Sequence, residues 1–157
     1  MTGQTHILGG ITASLAFAQL SPEEPVLILI GGVVGSLIPD ICHGGSKIGK
    51  TFPLLSKIIN SLFGHRTFTH SLLFLALAAL LFHFVLPIDG LAHGLLAGMI
   101  SHIILDMMTK HGVKLLFPWK VKVRFPFTVK TGGFGEYVAF AALSLFSVYF
   151  GYGIWFQ

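Results

Sequence analysis

The sequence predicts an all-α, polytopic membrane protein with about five transmembrane helices, and three observations carry that prediction. Of 157 residues, 54% are hydrophobic and only 10% charged, far from the balance of a soluble domain. The apolar residues gather in five blocks, at 6–20, 25–41, 68–87, 90–108 and 134–156. Each is near the roughly 20 residues that cross about 30 Å of hydrocarbon, with the first two on the short side. All ten Lys and Arg residues fall where alternating spans put one face, in the connections 42–67 and 109–133. The other face receives only Ser21-Pro22-Glu23-Glu24, the turn at Asp89-Gly90 and the C-terminus. That asymmetry places the N-terminus in the cytoplasm and the C-terminus outside. It also accounts for the net charge of +4 without any direct contact to nucleic acid. The chain reads as a single membrane-embedded helical domain, 1–157.

The first block opens at Thr5-His6, and Gly9, Gly10 and Ala13 give it a small face for close helix approach. Ala16-Phe17-Ala18 resembles a cleavage site, yet no basic residue precedes the apolar run and Gly9-Gly10 interrupts it, so a signal peptide is not expected. The second block passes Gly31, Gly32, Gly35 and Ser36 and ends at Pro39-Asp40-Ile41-Cys42-His43. A lone Asp40 there would merely mark the exit from the membrane. Cys42 is the single cysteine, which excludes an internal disulfide and a Cys-rich zinc site.

Gly44-Gly45-Ser46-Lys47-Ile48-Gly49-Lys50-Thr51 fits the phosphate-loop pattern G-x-x-x-x-G-K-[ST]. The context is wrong, because that motif needs a preceding strand, a long following helix and an acidic magnesium partner. The match reads as accidental. Residues 53–63 predict a short amphipathic cytoplasmic helix, with Leu54, Leu55, Ile58, Ile59 and Leu62 on one face and Lys57 on the other. The third span begins near His70; His83 lies too deep in it to share a site with His70. In the fourth, Gly94, Gly98, His102 and Asp106 follow at four-residue steps, so His102 and Asp106 share a face. Residues 113–127 alternate in a way suited to a β-hairpin on the membrane surface, with Trp119 as interfacial anchor. Glu136 opens the fifth span.

Counting sides brings His6, Asp40, His65, His70, His102, Asp106 and Glu136 to one cytoplasmic mouth. Neutral imidazoles with carboxylates suit Zn²⁺, with Mn²⁺ or another divalent metal as alternatives. Six metal candidates (His6, Asp40, His65, His70, His102 and Asp106) suggest two ions, or one ion with outer carboxylates and a base. His43, His111 and Glu136 stay open as further ligands. An open metal position would bring the pKa of water to about 7. Arg66 is placed to hold a phosphate, and Asp106 and Glu136 complete the expected catalytic group. The bland alternative is a polar network that only ties the helices together.

Thr5-His6, Pro39-Asp40, His65-Arg66-x-x-Thr69-His70-Ser71 and His102-x-x-x-Asp106-x-x-Thr109 resemble the motifs of the bacterial YdjM-like family. The resemblance implies a LexA-binding, inner-membrane-associated metal-dependent hydrolase. The order His, Asp, His, H-x-x-x-D is also similar to zinc-dependent phospholipases C and their nuclease relatives, although their later His-x-x-x-Glu/Asp pair is missing. The expected function is therefore a metal-dependent hydrolase that cleaves a lipid phosphoester, with membrane lipids and a cytoplasmic regulatory protein as partners. Two competitors remain: a metal-ion or proton transporter, and a non-catalytic anchor for a cytoplasmic regulator. A zinc protease of the H-E-x-x-H type is excluded, since the sequence lacks that motif.

Overall fold

Glycine sets how closely the central helices approach. The computed structural model describes residues 1–156. Among them, α2 (Pro25–Gly35) and α6 (Asp89–Met107) form the innermost pair, and α1 (Gly3–Ala18) packs on both. A methyl group at Gly31 would lie 2.5 Å from the Leu91 carbonyl oxygen, and one at Gly35, Gly94 or Gly98 would strike the facing backbone. Gly10 of α1 is similarly closed by Gly32 and Ser36. Small residues thus let three backbones meet in a setting where hydrophobic burial gives helices little reason to associate. Ile28 and Met99 fill the remaining centre and are fully buried.

The last helix, α7 (Phe134–Trp155), lies chiefly along α1. Thr12 Oγ1 sits 2.7 Å from Ser147 Oγ, and Gln19 Nε2 donates to the Phe150 carbonyl at 3.1 Å. On the other side, α5 (Leu72–Val85) leans on α6 and exposes Leu73, Leu77, Leu80, Leu81 and Phe84. Two short helices, α3 (Lys47–Thr51) and α4 (Pro53–Phe63), and two 3-10 turns, Ile38–Cys42 and Phe68–His70, complete the order.

Three helical stretches are long and apolar enough to cross a membrane: Pro25–Cys42, Asp89–Met107 and Phe134–Trp155. Five spans are not supported. With 16 and 14 residues, α1 and α5 are about 24 and 21 Å long, short of about 30 Å of hydrocarbon. In the third block the helix starts late, because Phe68–His70 form a 3-10 turn and Ser71 Oγ then caps α5 by accepting from Phe74 N at 3.1 Å.

The hairpin at 113–127 is also a correction. No strand forms there; Val113 and Val123 make one isolated antiparallel bridge, and Thr109 and Val129 one parallel bridge. Pro118 and Pro126 have no N–H to give a ladder, and the chain turns just ahead of Pro118, with Phe117 N donating to Lys114 O at 3.2 Å. The phosphate-loop pattern likewise has no strand before it: a 3-10 turn leads into the single-turn α3, where Ser46 Oγ caps Gly49 N at 2.9 Å. The amphipathic α4 is present, and its Leu54, Leu55, Ile58 and Leu62 remain exposed.

Candidate metal centre

One end of the bundle collects the start of α1, the turn after α2, the turn before α5 and the end of α6. Each delivers a polar side chain inward. His102 and Asp106 come from successive turns of α6, and both are buried. His102 Nδ1 lies 2.6 Å from the Ser36 carbonyl oxygen. A carbonyl only accepts, so Nδ1 carries the hydrogen and Nε2 presents a lone pair to the centre. His70 is held in the same sense. Its Nδ1 is 3.1 Å from Thr69 Oγ1, whose own hydrogen goes to Cys42 Sγ at 3.2 Å, again leaving Nε2 free. Asp40 is turned in by its 3-10 turn, with Ser46 Oγ bonded to its carbonyl oxygen at 2.8 Å.

Asp106 is the hub. Its Oδ1 accepts from Arg66 Nη2 and from the Met1 ammonium, each at 2.8 Å, and lies 3.3 Å from His6 Nε2. Its Oδ2 lies 3.3 Å from His70 Nε2 and 3.8 Å from His102 Nε2. Asp40 Oδ1 stands 3.8 and 3.7 Å from the same two nitrogens. The atoms His70 Nε2, His102 Nε2 and Asp106 Oδ2 are buried and have no hydrogen-bond partner. Leaving one such atom unsatisfied costs about 1–3 kcal/mol, so three pointing at one spot would be relieved by a common partner.

A divalent cation would be such a partner. Donors around four-coordinate zinc sit roughly 3.3 Å apart, given bonds of about 2.0 Å. The nitrogen–oxygen spacings given above are within about half an ångström of that value. Two overlapping ligand groups satisfy the geometry, Asp40/His70/His102 and His6/His102/Asp106, with His102 in both. His70 lies in the turn ahead of α5, outside the three spans. Burial disfavours its charged form, but the nearby Asp106 and Cys42 outweigh this and raise its pKa above the usual imidazole value. A cation at the centre would replace that proton.

Of the residues expected from sequence, His6, Asp40, His70, His102 and Asp106 come together. Three others are placed differently. His65 is exposed, with Nδ1 3.3 Å from Cys42 Sγ and its ring edge-on to His70, outside both ligand groups. Arg66 adopts φ 57° and spends its guanidinium on Asp106 and on Thr109 Oγ1 at 3.0 Å. Glu136 Oε1 accepts from Thr2 N at 2.5 Å and Thr5 Oγ1 at 2.6 Å, and its Oε2 from Gly132 N at 2.7 Å. Both of its oxygens are engaged, Oε1 in fixing the first turn of α1 and Oε2 in holding the turn that leads into α7. His43 stacks loosely near His65, and His111 lines a separate cavity. Sequence reasoning missed the supporting roles of Ser36, Thr69 and Thr5; Thr5 and Thr69, each beside a candidate ligand, carried a signal and Ser36 did not.

These positions can be set beside known proteins. The family described as YdjM inner membrane protein matches residues 1–156. The chain belongs to that family. The protein YvsG of Bacillus subtilis (strain 168) is 51% identical over 152 residues, covering 97% of this chain and 95% of its own. The inner membrane protein YdjM of Escherichia coli (strain K12) is 37% identical over 161 residues, covering 93% of this chain and 80% of its own. Its namesake in Shigella flexneri matches to the same extent. No solved structure matches. The YdjM name records a membrane location, and the three apolar stretches agree with it.

Proposed function

We propose that this protein is a membrane-embedded, metal-dependent hydrolase whose centre opens at the cytoplasmic end of the bundle and acts on a lipid phosphoester. The observation that carries the reading is the convergence of His70 Nε2, His102 Nε2 and Asp106 Oδ2, all buried and unpartnered, with Asp40 Oδ1 beside them. Those four residues would hold the ion, with His6 adjoining through Asp106. A divalent ion supplies Lewis acidity, which acidifies water and polarises a phosphoryl oxygen.

The chain's own residues do the rest. Thr69 and the Ser36 carbonyl fix the tautomers of His70 and His102, so that each offers Nε2. Arg66 neutralises one Asp106 oxygen and leaves the other for the centre. Asp40, with 21% of its side chain exposed, is the ligand candidate open to an incoming group. The site end also carries the basic connections, which supports the cytoplasmic assignment.

Two measurements test this. Elemental analysis of purified protein before and after chelation should find Zn²⁺, Mn²⁺ or another divalent ion bound. Mixed bacterial lipids in detergent should release phosphate or headgroup with parent protein and not with Asp106→Asn. Metal-free parent that cannot be loaded, or loaded parent that hydrolyses no phosphoester, would remove this reading.

A further inference from the structure

The hydrolase reading leaves a second feature of the same end unused. His65, Arg66, His111, Lys114, Lys122 and Thr131 line a cavity of about 490 Å³, within the roughly 300–1,000 Å³ typical of small-molecule sites. No Asp or Glu lines it, and among the described residues neither Lys114 nor Lys122 has a carboxylate within 4.0 Å. Cations gathered around one volume without a counter-charge repel one another, and a bound anion relieves this.

The wall that presents these cations is built, not incidental. Val113 and Val123 exchange backbone hydrogen bonds at 3.0 and 2.8 Å, which sets Lys114 beside Lys122. Lys114 N donates to Arg66 O at 3.2 Å, tying that wall to the residue that holds Asp106. Gly112 makes the entry to this pairing at φ 61°, and a side chain there would sit 2.7 Å from the Val123 carbonyl oxygen. Arg66 retains a further donor, its buried Nε, without a partner. Leu116, Trp119 and Val121, between the two lysines in sequence, are exposed apolar groups of the kind that settle at a lipid interface.

We propose that this cavity is a binding site for a phosphate group, adjacent to the metal centre and linked to it through Arg66. Lys114 and Lys122 supply charge, His111 supplies a ring N–H, and the exposed Leu116–Trp119–Val121 edge favours a phosphate carried by a lipid. As the place where substrate phosphate is held, the site rests on the hydrolase reading. As a binding site it needs no metal.

The test uses full-length, chelator-treated protein in detergent and isothermal titration, so that hydrolysis plays no part. The probes are inorganic phosphate, dihexanoyl phosphatidic acid below its micelle concentration, and dihexanoylglycerol as the uncharged control. Parent should bind phosphatidic acid and not dihexanoylglycerol. Lys114→Gln/Lys122→Gln, and Lys122→Glu alone, should weaken that binding at least tenfold, with bound metal after reloading unchanged. Lys57→Gln on α4 should bind like the parent. Inorganic phosphate binding as tightly as the lipid would assign the site to soluble phosphoesters; at least tenfold preference for the lipid would assign it to headgroups. Parent that binds neither phosphate probe, a double variant that binds like the parent, or equal loss in Lys57→Gln would overturn the proposal. Loss of hydrolysis with binding intact would strike only the hydrolase reading.

Discussion

His6 stacks on His102, with ring centroids 3.7 Å apart and planes inclined by 11°. The contact joins the first helix to the sixth and fixes the plane of the imidazole that both ligand groups share. His6 therefore contributes in two separable ways, as a flat packing partner and as a nitrogen near Asp106.

Substitution separates them. His102→Ala should lower metal affinity by more than the roughly 10–100-fold typical of outer-shell changes, because it removes the shared ligand. His6→Phe keeps a flat ring against His102 and should lose less. Competition against a chromogenic chelator measures both. Equal occupancy in His102→Ala and parent would exclude the site.

Thr69→Val keeps the shape of a buried side chain and removes the hydroxyl between His70 and Cys42. Metal affinity should fall about 10–100-fold while the protein stays folded. A chelator titration alongside a thermal melt distinguishes this from general destabilisation.

Proton and metal compete for His70 Nε2. Its raised pKa, set against burial by the nearby Asp106 and Cys42, means the proton is held to higher pH than on a free imidazole. Metal affinity should thus climb through the ordinary imidazole range and continue above it, by up to about tenfold per pH unit for one proton released. In metal-free protein the sign reverses. Stabilisation from protonated His70 is complete below the ordinary imidazole pKa and lost as pH rises through the raised one. Melts of metal-free parent and Asp106→Asn across that range should show a decline with pH in the parent that the variant lacks.

Gly98 faces the Gly32 carbonyl and Ser36. Gly98→Val should cost roughly 3 kcal/mol, the upper part of the range for overpacking, since backbone and not a flexible side chain must yield. Fluorescence-detected size-exclusion after heating reads this directly. Any surviving protein should also bind metal poorly, because Ser36 orients His102.

Orientation is open to chemical labelling. Cysteine at Gly45 should resist an impermeant maleimide in intact cells, whereas cysteine at Asp89 should react. The opposite pattern would invert the assignment of the basic connections to the cytoplasm.

How far the sequence could be read follows from how local each feature is. His102 and Asp106 lie one helical turn apart, so their shared face is visible as spacing. Asp40 and His70 each lie in an irregular turn at the border of an apolar block, so side-counting found their neighbourhood. Glu136 was misleading for the opposite reason: its partners Thr2 and Thr5 are more than 130 residues away, and nothing local distinguishes an engaged carboxylate from a free one. Span count failed on hydropathy that continues through Phe68–His70, although the chain there is a 3-10 turn that turns His70 inward. The alternation at 120–125 imitates a strand, but the neighbouring prolines leave only one bridged pair on each side of the loop.

The tether from Glu136 to Thr2 and Thr5 also bears on how the protein is made. His6 is made well before Glu136, and the carboxylate that fixes the first turn of its helix emerges only when α7 begins. The other four clustered side chains can gather before α7 is made, but the first turn of α1 lacks its Glu136 clasp until then. Completion of the centre is therefore tied to insertion of the last span, and a chain cut off before Phe134 would carry every clustered residue without the clasp that sets His6 in place.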